Sequence, residues 1–366
     1  MLVVGLGLAT RAFAQIVAVD VTPFSDSRGS CISADGTVVG GVVSQGAQGN
    51  AFRWTPASGL VPLPHFAQGD RSFATAASAN GSIMVGGRTT GGSSTARAIR
   101  WLNTDSNPVV QELPVPAGFD PTFQTEVLGV SGSGSVSVGR VFVSGIGYTA
   151  VRWDNLVATT LPDLSGASVA VAVSNDGSKI VGLGGNSIGR ASLWTSAGQH
   201  LLPHGEVWDT SAAQAISGNG QIIAGSVYDI SSNVRQLAYW PTPDSNPVTI
   251  GPMNLNAFIV DLSGDGSIAV GNLASGQQGF VWTQATGLVS PAEYFLSRGV
   301  DTSAWSNLMF SGVSDDGLRF VGSGSFEGGN RGFVVTVPGP GGAALACIAL
   351  LGAGRRRSPW ARVRLR

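Results

Sequence analysis

One short phrase recurs along the chain: "SADG" at 33, "SANG" at 78, "SGSG" at 131, "SNDG" at 174, "SGNG" at 217, "SGDG" at 263 and "SDDG" at 314. The spacings are 45, 53, 43, 43, 46 and 51 residues. A period of about 40 to 50 residues belongs to propeller blades or solenoid repeats, because one such unit cannot bury its apolar face alone. Each phrase follows an alternating segment such as "AVAVS" (170–174), which has the two-residue period of a strand. Asp-Gly or Asn-Gly then makes a tight hairpin, since glycine accepts positive φ without a Cβ clash. A second strand follows ("KIVG", "SIAVG"), and after a variable loop a third closes on tryptophan. A fourth segment, such as "GLVPLP" (59–64), completes the unit.

The expected fold is therefore an all-β, seven-bladed propeller of four-stranded antiparallel blades over 15–337. The repeat tryptophans are Trp54, Trp101, Trp153, Trp194, Trp240 and Trp282, with Val335 at the aligned place in the last copy. One Trp per repeat in a strand points to wedges between blades, not to six ligand platforms. The last copy lacks a fourth strand, whereas "QIVAVDVTPF" (15–24) has strand character and no repeat of its own. The N-terminal strand is expected to fill that place and lock the ring. Ser290, Pro291 and Glu293 read as N-cap, N1 proline and capping-box acid of a short helix near 290–298.

The phrases around Trp, as in "NAFRW" (50–54), resemble the HAF repeats of secreted bacterial propellers, with Asn50 where that family often has His. The segment "PAEYFLSRGVDTSAWSNLMFSGVSDDGLRFVGSG" resembles the last repeat of such proteins. The resemblance covers nearly the whole chain, and its motifs are structural, so it implies fold and export and no chemistry.

Both ends agree with export. Leu2 to Ala9 is apolar, and Ala12-Phe13-Ala14 before Gln15 has the small-x-small form of a leader cleavage site, which makes 1–14 a signal peptide, truncated at its basic start. At the other end Pro338 and Pro340 precede an apolar run from 341 to 354 and then Arg355, Arg356 and Arg357. That run is short against the roughly 20 residues of a full bilayer span. The arrangement in 338–366 is similar to PEP-CTERM sorting signals, with Gly339 where the family has Glu. It implies transient membrane anchoring through 341–357, contact with export and C-terminal sorting machinery, and a final place at the cell surface or in extracellular matrix.

Charge excludes one partner class. All 22 acidic residues lie between 15 and 337, where only 14 basic residues stand against them, a balance of −8. So acidic a body does not suit a phosphate backbone, and no nucleic acid is expected.

The chemistry of a site is thinly marked. Two tight connections per blade share one rim of an antiparallel meander, and the variable connections share the other, where binding normally sits. Trp208 and Trp305 fall outside the strand pattern, in blade-to-blade connections, with Glu206, Asp209 and Asp301 near them. They are candidates for stacking on a sugar ring and accepting its hydroxyls, or else each Trp folds under its own loop. Tyr148 and Tyr228 belong to the same class. Calcium wants about six to eight oxygens, more than Asp265, Asp315 or Asp316 supply from single turns. "GNSIG" (185–189) matches G-x-S-x-G but sits between hairpin strands, where no nucleophile elbow forms. His65, His200 and His204 lie at or just after fourth strands and have no metal-ligand spacing, and neither do Cys31 and Cys347. No catalytic residue, metal or cofactor is assigned. The expectation is a non-catalytic binding module for surface polysaccharide or protein. A polysaccharide-cleaving hydrolase or lyase and a purely architectural matrix protein are the alternatives.

Overall fold

The computed structural model describes residues 15–18 and 26–339, without 46–47, 68, 91–94, 164–165, 186–188, 254, 275 and 277. The leader segment 1–14 and the sorting residues Pro340, Arg355, Arg356 and Arg357 lie outside the described residues. Seven four-stranded antiparallel sheets follow one another as blades 1 to 7. Blades 1 to 6 occupy 26–62, 71–112, 125–160, 169–201, 210–250 and 257–289. Blade 7 takes three strands from 306–336 and its outermost from Gln15–Ala18, which pairs antiparallel with Gly329–Thr336 in the register Gln15↔Thr336 to Ala18↔Phe333. The expected closure by the N-terminal strand is thus present. One helix interrupts the β structure, Pro291–Ser297, and the capping box between Ser290 and Glu293 is complete.

The repeated tetrapeptide builds each hairpin by satisfying a buried hydroxyl. All seven serines, from Ser33 to Ser314, are buried. In blade 1, Ser33 Oγ accepts the Val38 N–H at 2.9 Å and donates to Asp35 Oδ1 at 2.6 Å. The same carboxylate accepts the Thr37 N–H, and Gly36 turns the chain at φ 71°. The geometry recurs with Asn80, Asp176, Asn219, Asp265 and Asp316 in the acceptor place, and with Ser133 as a hydroxyl partner. These side chains are spent on their own turns, which is why Asp, Asn and Ser interchange there.

At the same rim the residue after each serine joins a backbone ring. Ala79 N–H donates to Gly132, Gly132 to Asn175, Asn175 to Gly218 and Gly264 to Asp315, and Asp315 returns to Ala34. Asp35 and Asn219 donate the remaining links, to Ala79 and Gly264. All seven bonds measure 2.8 to 3.0 Å, so every blade is tied to the next at the channel mouth.

The first strands line the central channel, and each carries a one-residue bulge at the same place, between Gly29 and Cys31 in blade 1 and between Phe310 and Gly312 in blade 7. A bulge pushes its backbone toward the neighbouring strand. The neighbour answers with glycine in every blade: Gly41, Gly86, Gly139, Gly182, Gly225, Gly271 and Gly322. A Cβ on any of them would stand only 1.8 to 2.4 Å from a first-strand carbonyl oxygen.

The repeat tryptophans lie between blades. Trp101, Trp153, Trp194 and Trp240 are fully buried, and each Nε1–H donates 2.7 to 2.9 Å to a proline carbonyl ending the preceding blade: Pro64, Pro114, Pro162 and Pro203. Trp54 is buried, and Trp282 is half-buried against Tyr239. In blade 7 Val335 opposes Phe320 as Trp54 opposes Val39. There the wedge comes from Tyr294, Phe295, Phe310, Phe320 and Phe333 packed edge to face. The helix therefore supplies the apolar volume that the missing tryptophan would have filled.

Candidate binding cleft on the variable-loop rim

Opposite the hairpin ring, a cleft of about 820 Å³ opens beside blade 5. Residues directly opposite on antiparallel strands point to the same face. Tyr228 pairs with Arg235, so both side chains emerge together, and Asn256 at the entry to blade 6 faces them across the cleft. Tyr228 and Arg235 are half-buried. The tyrosine hydroxyl donates 2.5 Å to Asn233 Oδ1, and Asn233 sits at φ 56° in the turn that joins the two strands. Ser226 and Ser232 add hydroxyls. The lining holds aromatic, amide, hydroxyl and guanidinium groups and, among the described residues, no Asp, Glu, His or Cys.

The loop over this cleft is organised by two acids. Asp209 Oδ2 accepts the Ile230 N–H at 2.7 Å, and the Asp209 N–H donates to the Tyr228 carbonyl at 3.0 Å. Asp229 accepts from the hydroxyls and N–H groups of Ser231 and Ser232. Those hydrogen bonds, led by Ser232, hold its carboxyl down at about 2, so it stays charged and committed to the turn. Trp208 is half-buried against the blade 4–5 core, and Glu206 is exposed. The structure thus gathers Trp208, Asp209 and Tyr228 in one loop region and makes Asp209 a loop brace.

Trp305 is placed differently from an open platform. Only 9% of it is exposed, its ring stacks on Phe326 at a centroid distance of 4.7 Å, and it meets Phe333 edge-on. It floors a second pocket of about 450 Å³ between blades 6 and 7. Asp301 lies in that pocket, exposed, and accepts the Ser303 N–H at 2.8 Å. The pair is adjacent as expected, but the indole offers too little open face to stack on a sugar. In a connection that packs back onto a core, the indole's apolar area is worth more buried than exposed. Tyr148 lies apart in blade 3, under the Arg140 guanidinium at 3.8 Å and edge-on to Phe142.

The central channel forms a third cavity, of about 480 Å³. Near its hairpin mouth Asn175 Nδ2 of blade 4 donates 2.6 Å to Asp315 Oδ2 of blade 7. That bar passes over Gly218, where a Cβ would collide with both side chains. Asp261 accepts the N–H groups of Val313 and Leu262, yet burial pushes its carboxyl up to about 7, and the Asp315 charge adds to the rise. Burial also pushes the Cys31 thiol up to about 12, so it stays protonated and is no nucleophile. Among the described residues no cluster of three or more His, Cys, Asp or Glu could hold a metal ion, and no helix is long and apolar enough to cross a membrane.

Arg235, Asn233 and Asn256 were not legible as site residues in the sequence. Their one signal is position, in or beside variable connections, and that signal marks many residues equally.

No protein-family model and no curated protein matches the chain. Solved structures do. The β-propeller domain of the trilobed protease from Pyrococcus furiosus, described as having an open velcro topology, superposes with TM-score 0.57 at 10% identity, covering 85% of this chain and 95% of that one. An oligogalacturonate lyase in complex with manganese gives TM-score 0.56 at 12% identity over 89% and 93%. TolB from Acinetobacter baumannii gives 0.41 at 14% identity, and the match spans 66% of this chain but only 56% of that one. At such identities the likeness is one of fold alone. The scaffold is a β-propeller.

Proposed function

We propose that the protein is an exported propeller that binds glycan without cleaving it, through the cleft beside blade 5 on the variable-loop rim. The observation that carries this reading is the pairing of a half-buried tyrosine with amides and hydroxyls in a cleft with no carboxyl or imidazole among its described lining residues. A sugar presents an apolar face and a ring of hydroxyls, which suits an aromatic ring bordered by neutral donors and acceptors. Glycoside cleavage by the usual route needs two carboxyl groups flanking one bond, and the described lining residues include none. Export is supported by the leader-like 1–14 and by the proline, apolar and arginine order after 337, which also favour a surface or matrix location.

Co-sedimentation of the full chain with insoluble bacterial and algal polysaccharides, with assay of released sugars, tests the reading. Retention without release, lost in Tyr228→Ala, is the expected result. Released reducing ends would replace it with the hydrolase or lyase. Absence of retention on every polymer would leave the protein-binding and architectural alternatives.

A further inference from the structure

Several half-buried arginines elsewhere on the variable rim meet acids, and Arg190 and Arg298 have a carbonyl and a ring instead. Arg88 and Arg97 share Glu112 at 2.5 and 2.7 Å, Arg140 meets Glu126 at 2.5 Å, and Arg331 faces Asp26 at 3.7 Å. Arg235 is the contrast. It is half-buried like them, yet its side chain has no hydrogen bond, ion pair or ring contact among the described residues. It is also the one charged residue among those lining its cleft. The nearby acids Asp209 and Asp229 keep their charge but form no ion pair with it, their oxygens accepting from the backbone and hydroxyls of the 229–233 turn. Arg235 is thus a guanidinium with no ion-pair partner among the described residues, in a body whose balance is −8.

We infer that the cleft takes an acidic sugar, with Arg235 receiving its carboxylate or sulfate and Tyr228 lying against the ring. This rests on the cleft being the glycan site. A guanidinium presents a planar fork of donors that matches two anionic oxygens at once, and a partly water-excluded setting strengthens the contact. Because Tyr228 and Arg235 are a directly opposed cross-strand pair, the sheet starts aromatic ring and guanidinium side by side on one face. A neutral sugar would leave the arginine half-desolvated and unpaired, so the site discriminates against it.

Calorimetric titration of the full chain with short alginate oligosaccharides, sulfated carrageenan oligosaccharides and cellohexaose tests this. The acidic ligands are expected to bind about 10-fold or more tightly than cellohexaose, the scale of one charge-assisted contact. Stronger binding of alginate identifies a carboxylate, and of carrageenan a sulfate. Arg235→Gln should bring the preferred ligand to the level of cellohexaose, with Arg235→Lys in between. Its thermal midpoint should match the parent, because Arg235 has no protein partner to lose. Equal binding of neutral and acidic sugars, lost in Tyr228→Ala and indifferent to Arg235→Gln, would overturn the acidic class and leave the glycan cleft standing. Binding that survives Tyr228→Ala, or none to any of the three, would overturn both.

Discussion

Gly139 stands in the second strand of blade 3 and Trp153 in the third, and each answers a demand made by a neighbour. A Cβ at 139 would lie 1.9 Å from the Glu126 carbonyl oxygen, so Gly139→Ala must displace the bulge that lines the channel. Loss of more than about 3 kcal/mol, or failure to fold, is expected, read from urea denaturation or soluble yield. Trp153→Phe keeps most of the wedge but leaves the carbonyl of half-buried Pro114 without its donor. The expected cost is about 1–3 kcal/mol in the same measurement. Asp261 makes a pH prediction. Its folded-state value of about 7 exceeds the unfolded value of about 4, so in between the folded protein keeps a proton that the unfolded chain gives up. Its contribution is full below pH about 4 and is lost as pH rises to about 7, at no more than about 1.4 kcal/mol per unit. Urea midpoints from pH 4.5 to 8 should fall less steeply in Asp261→Asn than in the parent. An equal or steeper fall would assign the slope to other groups.

At the scale of elements, the hairpins and the helix repeat rules that a short window of sequence carries. Each Ser-x-Asp/Asn/Ser-Gly turn is complete within six residues, which is why all seven are legible in the sequence. The helix over 291–297 was equally local, since Ser290, Pro291 and Glu293 all act within its first turn. Ser290→Ala should cost about 1 kcal/mol through the lost N-cap, and it should loosen the Tyr294 and Phe295 wedge between blades 6 and 7. Faster hydrogen exchange in the 291–300 segment, with blade 3 unchanged, is the expected signature. The use of that helix as a substitute for the seventh tryptophan was not readable, because it depends on the ring bringing 294–295 against 310, 320 and 333.

Across the whole molecule, closure depends on a four-residue strand from the start of the chain. Gln15–Ala18 is the outer strand of blade 7, and Ile16 packs against the aromatic cluster there. A chain lacking 1–18 should unfold at lower urea, with raised exchange at Phe333–Thr336, whose outer backbone edge loses its partner. The backbone ring at the channel mouth joins all seven blades and should keep blades 2 to 5 protected in that variant. If those blades lost protection equally, the propeller would behave as one cooperative unit with its weakest point at the seam.

Blade number, strand order, the hairpin turns, the packing place of the tryptophans and the closing strand all followed from the residues alone. Each is a local pattern written several times over, and sevenfold repetition averages out the ambiguity of any single copy. The cleft was decided only by the tertiary structure. It arises where the copies differ, from the pairing of Tyr228 with Arg235 and the approach of Asn256 from the next blade. Trp305 and Arg235 show the reason most plainly. A side chain's environment belongs to its neighbours in space, so Trp305, which the sequence left between platform and packed loop residue, is packed on Phe326, and Arg235, which looked ordinary, is a guanidinium without an ion-pair partner.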